Sequence, residues 1–398
     1  MASSQGAPDV RYASSIAFPL DLTSPKTQSS TARLAALLAL IVVLWAVTGC
    51  GDAGPSPVVK GRAESFVRTA IRSAGRAPFR FFSSTSFWNR SLPADAPLDP
   101  SSAAMVGALN EVIARERLAG KGPGINTVSY SVPIYTVPAN QPLVAVALVN
   151  GSVEKGWGAP ALQSAWDAVP LPANAEPAAG TDKHLVVWQP STDRLWEFLQ
   201  MEDSGVGWHA FWGGAIQNVS SDSGAYGPEA WPGSKPRWGA SASSLSIAGG
   251  LITLEDFELG QINHALAMAI PDPRAGVYAA PAQRTDGKST DPLSLPEGAH
   301  LRLDPNLNLA SLHLPPVTLK IAEAAQRYGI VVRDTASHVT LYAQDPTPTG
   351  TDPYLGPNGY FERRSPIQLL ASFPWSHLQV LKMSLRPIRS KHHKKHKR

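Results

Sequence analysis

DKHLVVWQPSTDRLWEFLQMEDSGVGWHAFWGGAIQN, residues 182–218, predicts three β-strands joined by short turns. HLVVW is a short apolar run, and PSTD after it has the composition of a turn. RLWEFLQM then alternates large apolar residues with polar ones, and WHAFWGGAI supplies the third predicted strand. The stretch holds four of the eleven tryptophans of the chain. A β-meander this rich in aromatic residues is typical of a protein core or of a face that stacks sugar rings.

The composition favours a β-rich fold around this meander. Of the 398 residues 43% are hydrophobic and only 17% are charged, while Gly (32) and Pro (36) are abundant. Such a chain can bury a full core and is typical of turn-rich, strand-rich secreted proteins. We therefore predict a mainly β, α+β fold, a β-sandwich or jelly-roll-like sheet pair with about three flanking helices.

Three segments have the apolar spacing and the end signals of helices. The first follows the serine pair 101–102, the second follows Thr253 as N-cap, and the third ends at Gly329. GIVVRDTASHVTLYAQD, residues 329–345, predicts a β-hairpin directly after the third helix. The predicted helices span residues 103–118, 254–269 and 317–328.

The single cysteine indicates where the protein works. Cys50 follows an apolar run of 14 residues, 34–47, which has the length of a signal-peptide core and is short for a membrane span. VTGC at its end resembles a bacterial lipobox, whose cysteine thiol carries the lipid. The sequence thus predicts a lipoprotein held on the extracellular face of the bacterial cell membrane. The alternative is an uncleaved signal anchor in which Cys50 stays unmodified.

The charge distribution separates a body from a basic tail. Residues 386–398 hold seven Lys or Arg and no acid, and without them the chain has 28 basic and 31 acidic residues. The body is therefore mildly acidic and does not suggest nucleic-acid binding, whereas the tail could contact anionic lipid or wall polymer. The predicted organisation is a signal peptide with a long polar N-terminal region (1–49), a lipidated cysteine and tether (50–78), one β-rich domain (79–385) and a disordered basic tail (386–398).

Several classes of active site are excluded by missing motifs. The sequence has no GxGxxG after a strand, no GxxxxGK[ST], no HExxH, no GxSxG and no CxxC. No cofactor is predicted, and the spacing of His184, His209, His264 and Asp286 does not support a metal site. Histidine, carboxylate, tyrosine and arginine chemistry remains.

One candidate constellation suits proton abstraction next to a uronic-acid carboxylate. His264, on the second predicted helix, would act as the base, and Tyr278 would act as the acid. Arg274, Arg284 and Asn263 would hold the anion. The ordinary alternative for His264 is a core histidine with both ring nitrogens hydrogen-bonded.

Three further residues are candidate catalytic groups. His184 opens the first strand of the meander, where a side chain can face a cleft, and Asp286 lies in the polar turn RTDG. Glu197 alternates with Trp196, so we expect its carboxylate on the exposed face of the sheet. The alternatives are a turn and strand-edge residue for His184 and a solvated edge carboxylate for Glu197.

Aromatic residues are the predicted sugar-binding groups, because aromatic faces pack against the C–H groups of pyranose rings. Some belong to the meander, and others belong to the long Gly- and Pro-rich loop at 220–244. The predicted substrate-binding residues are Trp188, Trp208, Trp212, Trp231, Trp238 and Tyr226.

Several motifs together resemble a family of secreted actinobacterial surface proteins. They are SFWN, PADAPLDPSSAAMVGAL, KHLVVW with WEF, GQINHALAMAIP, PEGAHLRLDP and YGIVVRD, within about residues 80–350. The resemblance implies export and a single domain, and it assigns no catalytic residue. Asn306-Leu-Asn308 stands where the resemblance leads us to expect an acidic loop.

The sequence therefore predicts an extracellular, membrane-anchored lipoprotein that acts on or binds a polysaccharide or cell-wall polymer. Its activity would be of the polysaccharide lyase or glycoside hydrolase type. The alternative is a carbohydrate-binding or structural envelope lipoprotein without catalysis.

Overall fold

A computed structural model describes residues 79–150, 157–356 and 358–388, all of which fall within one compact unit. These residues form sixteen strands and five helices, a sandwich-like α+β fold with open sheets, which confirms the predicted fold class. In chain order the strands are β1 (Gly124–Asn126), β2 (Val132–Thr136), β3 (Val146–Leu148), β4 (Leu185–Gln189), β5 (Arg194–Leu199), β6 (Glu202–Asp203), β7 (Trp208–Ala210), β8 (Trp212–Gln217), β9 (Leu266–Ile270), β10 (Val277–Ala279), β11 (His300–Leu303), β12 (Ile330–Thr335), β13 (Thr340–Tyr342), β14 (Gln344–Asp345), β15 (Leu378–Val380) and β16 (Leu385–Pro387).

The predicted meander forms the centre of a five-stranded sheet with the order β14-β2-β4-β5-β8. Strands β4, β5 and β8 pair antiparallel, as predicted, and Trp188 stands opposite Leu195. The third predicted strand is divided at Phe211 into β7 and β8, and β7 joins a separate sheet. Strands β2 and β14 add parallel pairs at the other edge, so the sheet is mixed.

A six-stranded sheet with the order β1-β13-β9-β12-β11-β15 carries the second half of the chain. The predicted hairpin of β12 with β13 is wrong, because β9 lies between them, parallel to β12 and antiparallel to β13. The remaining strands form a three-stranded sheet, β3-β7-β6, and a two-stranded sheet, β10-β16.

Four of the five helices in the described residues, α1, α2, α4 and α5, contact strands of the sheets. Two of them, α1 and α4, confirm the prediction, and Met105, Leu109 and Ile113 form the buried stripe of α1. Helix α2 was not predicted and packs against β3 and β8. The helices are α1 (Ser102–Leu118), α2 (Ala159–Trp166), α3 (Leu254–Leu259), α4 (Pro316–Arg327) and α5 (Pro366–Leu370).

The long helix predicted for residues 254–269 is wrong beyond its first turns. Thr253 caps α3 as predicted, in a capping box with Asp256. The helix then ends because Gly260 takes a left-handed conformation with φ 69°. The rest of the segment becomes β9, a central strand whose two faces carry different side chains. Its alanines contact one hydrophobic core, and Leu266, Met268 and Ile270 contact the other.

Two hydrophobic cores separate the layers of sheets and helices. The first joins the five-stranded sheet to the alanine face of β9 and to α2. The second lies between the six-stranded sheet and helices α1, α4 and α5. Strands β4 and β9 are consequently buried along their whole length. Apolar surface buried at roughly 25 cal/mol per Å² on both faces of the sheets is the main source of stability.

Some predictions fall on other parts of the chain. The predicted signal peptide, Cys50 and the tether lie outside the described residues, as does most of the predicted tail. The first two residues of that tail, Arg386 and Pro387, belong to β16 and pair with β10. In the described ranges no helix has the length and hydropathy needed to cross a bilayer.

Candidate functional site

A buried loop lies between the strands of the two large sheets in the chain, and several charged side chains form hydrogen bonds with it. This loop, GASASSLSIAGG at Gly239–Gly250, is buried at every position except Ala242, so its backbone N–H and C=O groups need partners within the protein. Glu197 accepts hydrogen bonds from two backbone amides of the loop and from one of its side chains. Its Oε1 accepts a hydrogen bond from the Ala240 amide at 2.8 Å, and its Oε2 accepts from Ser246 Oγ at 2.6 Å and from the Ile247 amide at 3.0 Å.

This arrangement corrects the sequence-based prediction for Glu197. The side chain is 0% exposed, because the buried loop covers the face of β5 that strand alternation alone would leave open. Burial raises the pKa of Glu197, and the hydrogen bonds from Ser246 and the backbone oppose that rise. Glu197 therefore acts as a structural acceptor for the loop.

Arg284 and His184 contact the same loop. Arg284 Nη2 donates to the carbonyl oxygens of Gly239 at 3.0 Å and Ser241 at 2.7 Å. His184 Nε2 lies 3.4 Å from the carbonyl oxygen of Ala240. Burial lowers the pKa of His184 to about 4, so its imidazole is neutral at physiological pH. Three of the predicted catalytic residues thus converge, as partners of a loop backbone.

Arg333 completes the set of loop partners from β12. It is 0% exposed, and its Nη1 donates to the carbonyl oxygens of Ile247 at 2.7 Å and Gly249 at 3.1 Å. Its guanidinium carbon lies 4.1 Å from the ring centre of Tyr342. Its Nε and Nη2 are buried and have no hydrogen-bond partner in the described ranges. A buried cation of this kind needs carboxylates nearby.

A β-bulge places Arg333 and Asp334 together. The pairing of β12 with β9 runs in register up to Val332 opposite Met268 and resumes with Asp334 opposite Ala269, so Arg333 is the extra residue. In a regular strand that kept Arg333 but had no bulge, alternation would turn Asp334 towards the helices. The bulge instead brings both side chains to the side of the buried loop. Bulges commonly re-aim a side chain beside a functional site.

Four carboxylates meet around this point, and we name them the carboxylate cluster: Asp182, Asp286, Glu297 and Asp334. They come from segments far apart in sequence, immediately before β4, after β10, before β11 and within β12. Each interacts electrostatically with at least one of the others, and Asp286 interacts with all three. Three of the four, Asp182, Asp286 and Asp334, are only partly buried.

Asp286 and Asp334 each keep one oxygen available. Asp286 Oδ1 accepts from Thr335 Oγ1 at 2.5 Å. Asp334 Oδ1 accepts from the amides of Ala242 at 3.1 Å and Thr335 at 3.0 Å. The Oδ2 atom of each has no hydrogen-bond partner in the part of the chain that the structure describes. These two oxygens therefore retain the capacity to accept a hydrogen bond from another group.

Glu297 lies behind Asp286. It is 0% exposed, and its Oε2 accepts from the Asp286 amide at 3.2 Å. Its Oε1 is buried without a partner among the described residues. Burial, and then the charge of Asp286, raise the pKa of Glu297 well above its usual range, which favours the neutral acid.

Three carboxylates of the cluster, Asp182, Glu297 and Asp334, have a raised pKa, which is common among the acid groups of active sites. Burial raises the pKa of Asp334 to about 6, against the lowering effect of Arg333, and the charges of Asp286 and Asp182 raise it further. Burial also raises the pKa of Asp182. Asp334 can thus hold a proton in mildly acidic solution.

His264 and Asn263 lie apart from this cluster. His264 Nε2 is 3.1 Å from Asp256 Oδ2, and its Nδ1 is 2.8 Å from the carbonyl oxygen of Ala265. Burial alone would lower the pKa of His264, but the charge and hydrogen bond of Asp256 raise it above its usual value. The carbonyl oxygen of Asn263 accepts from Arg80 at 3.2 Å. Both ring nitrogens of His264 therefore have hydrogen-bond partners in the core, which is the alternative given for this residue in the sequence analysis.

Tyr278 and Arg274 also lie outside the cluster. Tyr278 stands in β10 opposite Arg386 of β16. Arg274 Nη1 donates to the carbonyl oxygen of Pro292 at 2.8 Å. The structure therefore does not bring the predicted proton-abstraction residues together.

Most of the predicted sugar-binding aromatics are core residues. Burial of a ring in the first hydrophobic core leaves no face for a sugar, and four of the six are in this position. Two remain partly exposed, Trp208 and Trp231. The buried ones are Trp188, Trp212, Trp238 and Tyr226.

Sequence reasoning missed Asp334, Glu297 and Arg333. The available signal was the charged pair in IVVRD, since adjacent charges inside an otherwise apolar strand are rarely buried without a partner. In the described ranges, no group of three or more His, Cys, Asp or Glu side chains could hold a metal ion. Comparisons with protein-family models, with curated proteins and with solved structures find no match.

Proposed function

We propose that this protein hydrolyses glycosidic bonds of a polysaccharide outside the cell. The observation that carries the proposal is the convergence of four carboxylates, three of which have a pKa raised by burial, beside a buried arginine and a neutral histidine. Glycoside hydrolysis generally uses two carboxyl groups, one protonated and one ionised. A lipid on Cys50, as the sequence predicts, would keep the enzyme at the outer membrane face, where such polymers occur.

Asp334 is the general acid in this proposal. Its pKa of about 6 lets it carry a proton in mildly acidic solution, and its Oδ2 is free of other hydrogen bonds among the described residues. It would donate that proton to the oxygen of the leaving sugar as the glycosidic bond breaks. The amides of Ala242 and Thr335 hold the other oxygen and so fix the direction of the donor.

Asp286 is the second carboxyl group. Thr335 Oγ1 donates to its Oδ1, which leaves Oδ2 to attack the anomeric carbon or to activate a water molecule. Glu297 supports it from behind through the Asp286 amide. Asp182 is the third partly exposed carboxylate, and its charge helps to keep Asp334 protonated.

Hydrolysis is favoured over elimination by the positions of the other candidates. A lyase reaction of the predicted kind would use His264 as base and Tyr278 as acid. His264 is instead hydrogen-bonded through both nitrogens in the core, and Tyr278 lies in the β10–β16 sheet.

The pH dependence tests the role assigned to Asp334. The acid must be protonated in the free enzyme, so kcat/KM should be high below the Asp334 pKa of about 6 and should fall about tenfold per unit of pH above it. The measurement is the rate at which reducing ends appear in a panel of extracellular polysaccharides between about pH 4 and 8.

Asp334→Asn should remove this falling limb together with most of the activity. Asp304→Asn is the matched control, because Asp304 is also a partly buried carboxylate but lies outside the cluster, where it accepts from the Asn306 amide at 2.9 Å. An activity that rises through neutral pH, or one that Asp334→Asn leaves unchanged, would contradict the proposal.

A further inference from the structure

Two arginines stack on one tryptophan beside the carboxylate cluster. The guanidinium carbon of Arg237 lies 5.1 Å from the ring centre of Trp157, and that of Arg284 lies 5.8 Å from it. Trp157 is partly exposed and packs edge-on against Trp212 with ring centres 5.9 Å apart. Its carbonyl oxygen accepts from Trp238 Nε1 at 2.9 Å. The ring is therefore held in place from the core.

Arg237 has a strained backbone. Its φ is 84°, in the left-handed region that favours glycine. Two hydrogen bonds hold it there, from its amide to Gln283 Oε1 at 2.7 Å and from Trp212 Nε1 to its carbonyl oxygen at 3.0 Å. Such a conformation costs on the order of 1 kcal/mol or more at a non-glycine residue and often marks a functional position.

The side chain of Arg237 has no polar partner in the described ranges. Its guanidinium takes part in no hydrogen bond and in none of the ion pairs there. Stacking on Trp157 occupies the face of the guanidinium and leaves its in-plane N–H donors, which match the geometry of a carboxylate. A strained arginine with unused donors points to a ligand for those donors.

Lys235 adds a third positive charge at this place. Its side chain runs against Gly158, where a Cβ atom would lie 2.7 Å from Lys235 Cγ. No ion pair of the described residues includes Lys235. Gly158, with φ 83°, thus permits the close approach of the lysine next to Trp157.

This basic group adjoins the proposed active site along the chain. Arg284 precedes Asp286 by two residues, so their backbones are no more than about 7 Å apart. A polymer that places one sugar at the carboxylate cluster can therefore place a nearby sugar at the basic group. The carboxylates would repel a negative group of the substrate from the first position and the cations would attract it to the second.

We infer that Trp157 and Arg237 form a subsite for a carboxylated sugar, so that the substrate class is a polysaccharide containing uronic acid. The inference rests on the proposed hydrolase function. Arg237 binds the sugar carboxylate with two parallel N–H···O bonds, Trp157 orients the guanidinium, and Lys235 adds attraction over a longer range.

The test compares binding of a polyuronate with binding of its neutral ester. The full chain with Asp286→Asn, which should not cleave the polymer, is titrated with polygalacturonate and with fully methyl-esterified polygalacturonate. We expect at least about tenfold tighter binding of the acid form, and weaker binding as salt is added. Arg237→Gln should remove that preference and leave affinity for the ester unchanged.

Arg194 offers a matched control variant. Its guanidinium carbon lies 5.3 Å from the ring centre of Trp231, a similar stack on an ordinary extended strand. Arg194→Gln should leave the preference for the acid form intact. Arg237→Gly should abolish the preference without lowering Tm, because glycine relieves the left-handed backbone.

Three results would overturn the subsite. They are equal binding of acid and ester, an unchanged preference in Arg237→Gln, and failure to bind any of polygalacturonate, alginate and hyaluronan. Failure of the proposed function is a separate result. If the protein binds the acid form through Arg237 but the unmutated protein releases no new reducing ends from the polymer, the subsite stands and hydrolysis is refuted.

Discussion

Asp286→Asn is expected to lower the rate of glycosidic cleavage at least about a thousandfold. The amide keeps the size of the side chain and can still accept from Thr335 Oγ1, which lies 2.5 Å from Asp286 Oδ1. It cannot attack the anomeric carbon or remove a proton from water. The loss should appear in kcat, with substrate binding retained, because the change affects the reacting group and leaves the rest of the cleft in place.

The design separates a catalytic role from a structural one. Asp304→Asn should keep full activity, and Tm should be similar for both variants, since each replaces one partly buried carboxylate that accepts hydrogen bonds in a loop. Thr335→Val should give a smaller loss than Asp286→Asn, because it removes only the hydrogen bond that orients the carboxylate. Turnover of Asp286→Asn within a few-fold of the original rate would exclude Asp286 from catalysis.

Arg333→Met is expected to lower the free energy of unfolding by about 3–5 kcal/mol. The methionine leaves the carbonyl oxygens of Ile247 and Gly249 without the donor they have at 2.7 and 3.1 Å. It also leaves Asp334 and its neighbours without the cation that opposes the rise in the Asp334 pKa. Partly or fully buried carboxylates that lose a nearby cation raise the free energy of the folded state.

Arg302→Met is the matched control for this prediction. Arg302 is 4% exposed and donates to Gln379 Oε1 at 2.9 Å and to the Pro93 carbonyl oxygen at 2.7 Å. It contacts neutral acceptors, so its loss should cost only about 1–2 kcal/mol. Denaturant unfolding of both variants at about pH 7 measures the difference. Equal losses would mean that the charge of Arg333 is not needed to balance the carboxylate cluster.

The sequence predicted the elements whose pattern is local. Strands β4 and β5 alternate and are joined by a Pro-containing turn, and α1 and α4 carry apolar stripes at helical spacing. The helix predicted for residues 254–269 was wrong in its second half because LAMAI consists mostly of good helix formers. These residues form a strand instead, because each face of that strand packs into a different hydrophobic core. The predicted hairpin after α4 failed for a related reason, since β9 is inserted between two strands that are neighbours in sequence.

The site was only partly predictable, because it is assembled by long-range contacts. Of the residues that the sequence singled out, His184, Glu197 and Arg284 contact one buried loop, and Asp286 interacts electrostatically with Asp334, which also contacts it. Their roles depend on facts that no local pattern contains, namely the loop that covers Glu197 and the bulge that turns Asp334. The structure does not support the predicted role of His264 as a base, because its Nε2 is hydrogen-bonded to Asp256 in the core.

The central claim is that the carboxylate cluster adds water across a glycosidic bond. The most direct measurement is mass spectrometry of the oligosaccharides released from polygalacturonate, alginate or hyaluronan at about pH 5 in water enriched in heavy oxygen. We predict saturated products with one labelled oxygen at each new reducing end, and none from Asp286→Asn. Unlabelled, unsaturated products, or no products from any of these polymers, would contradict the account.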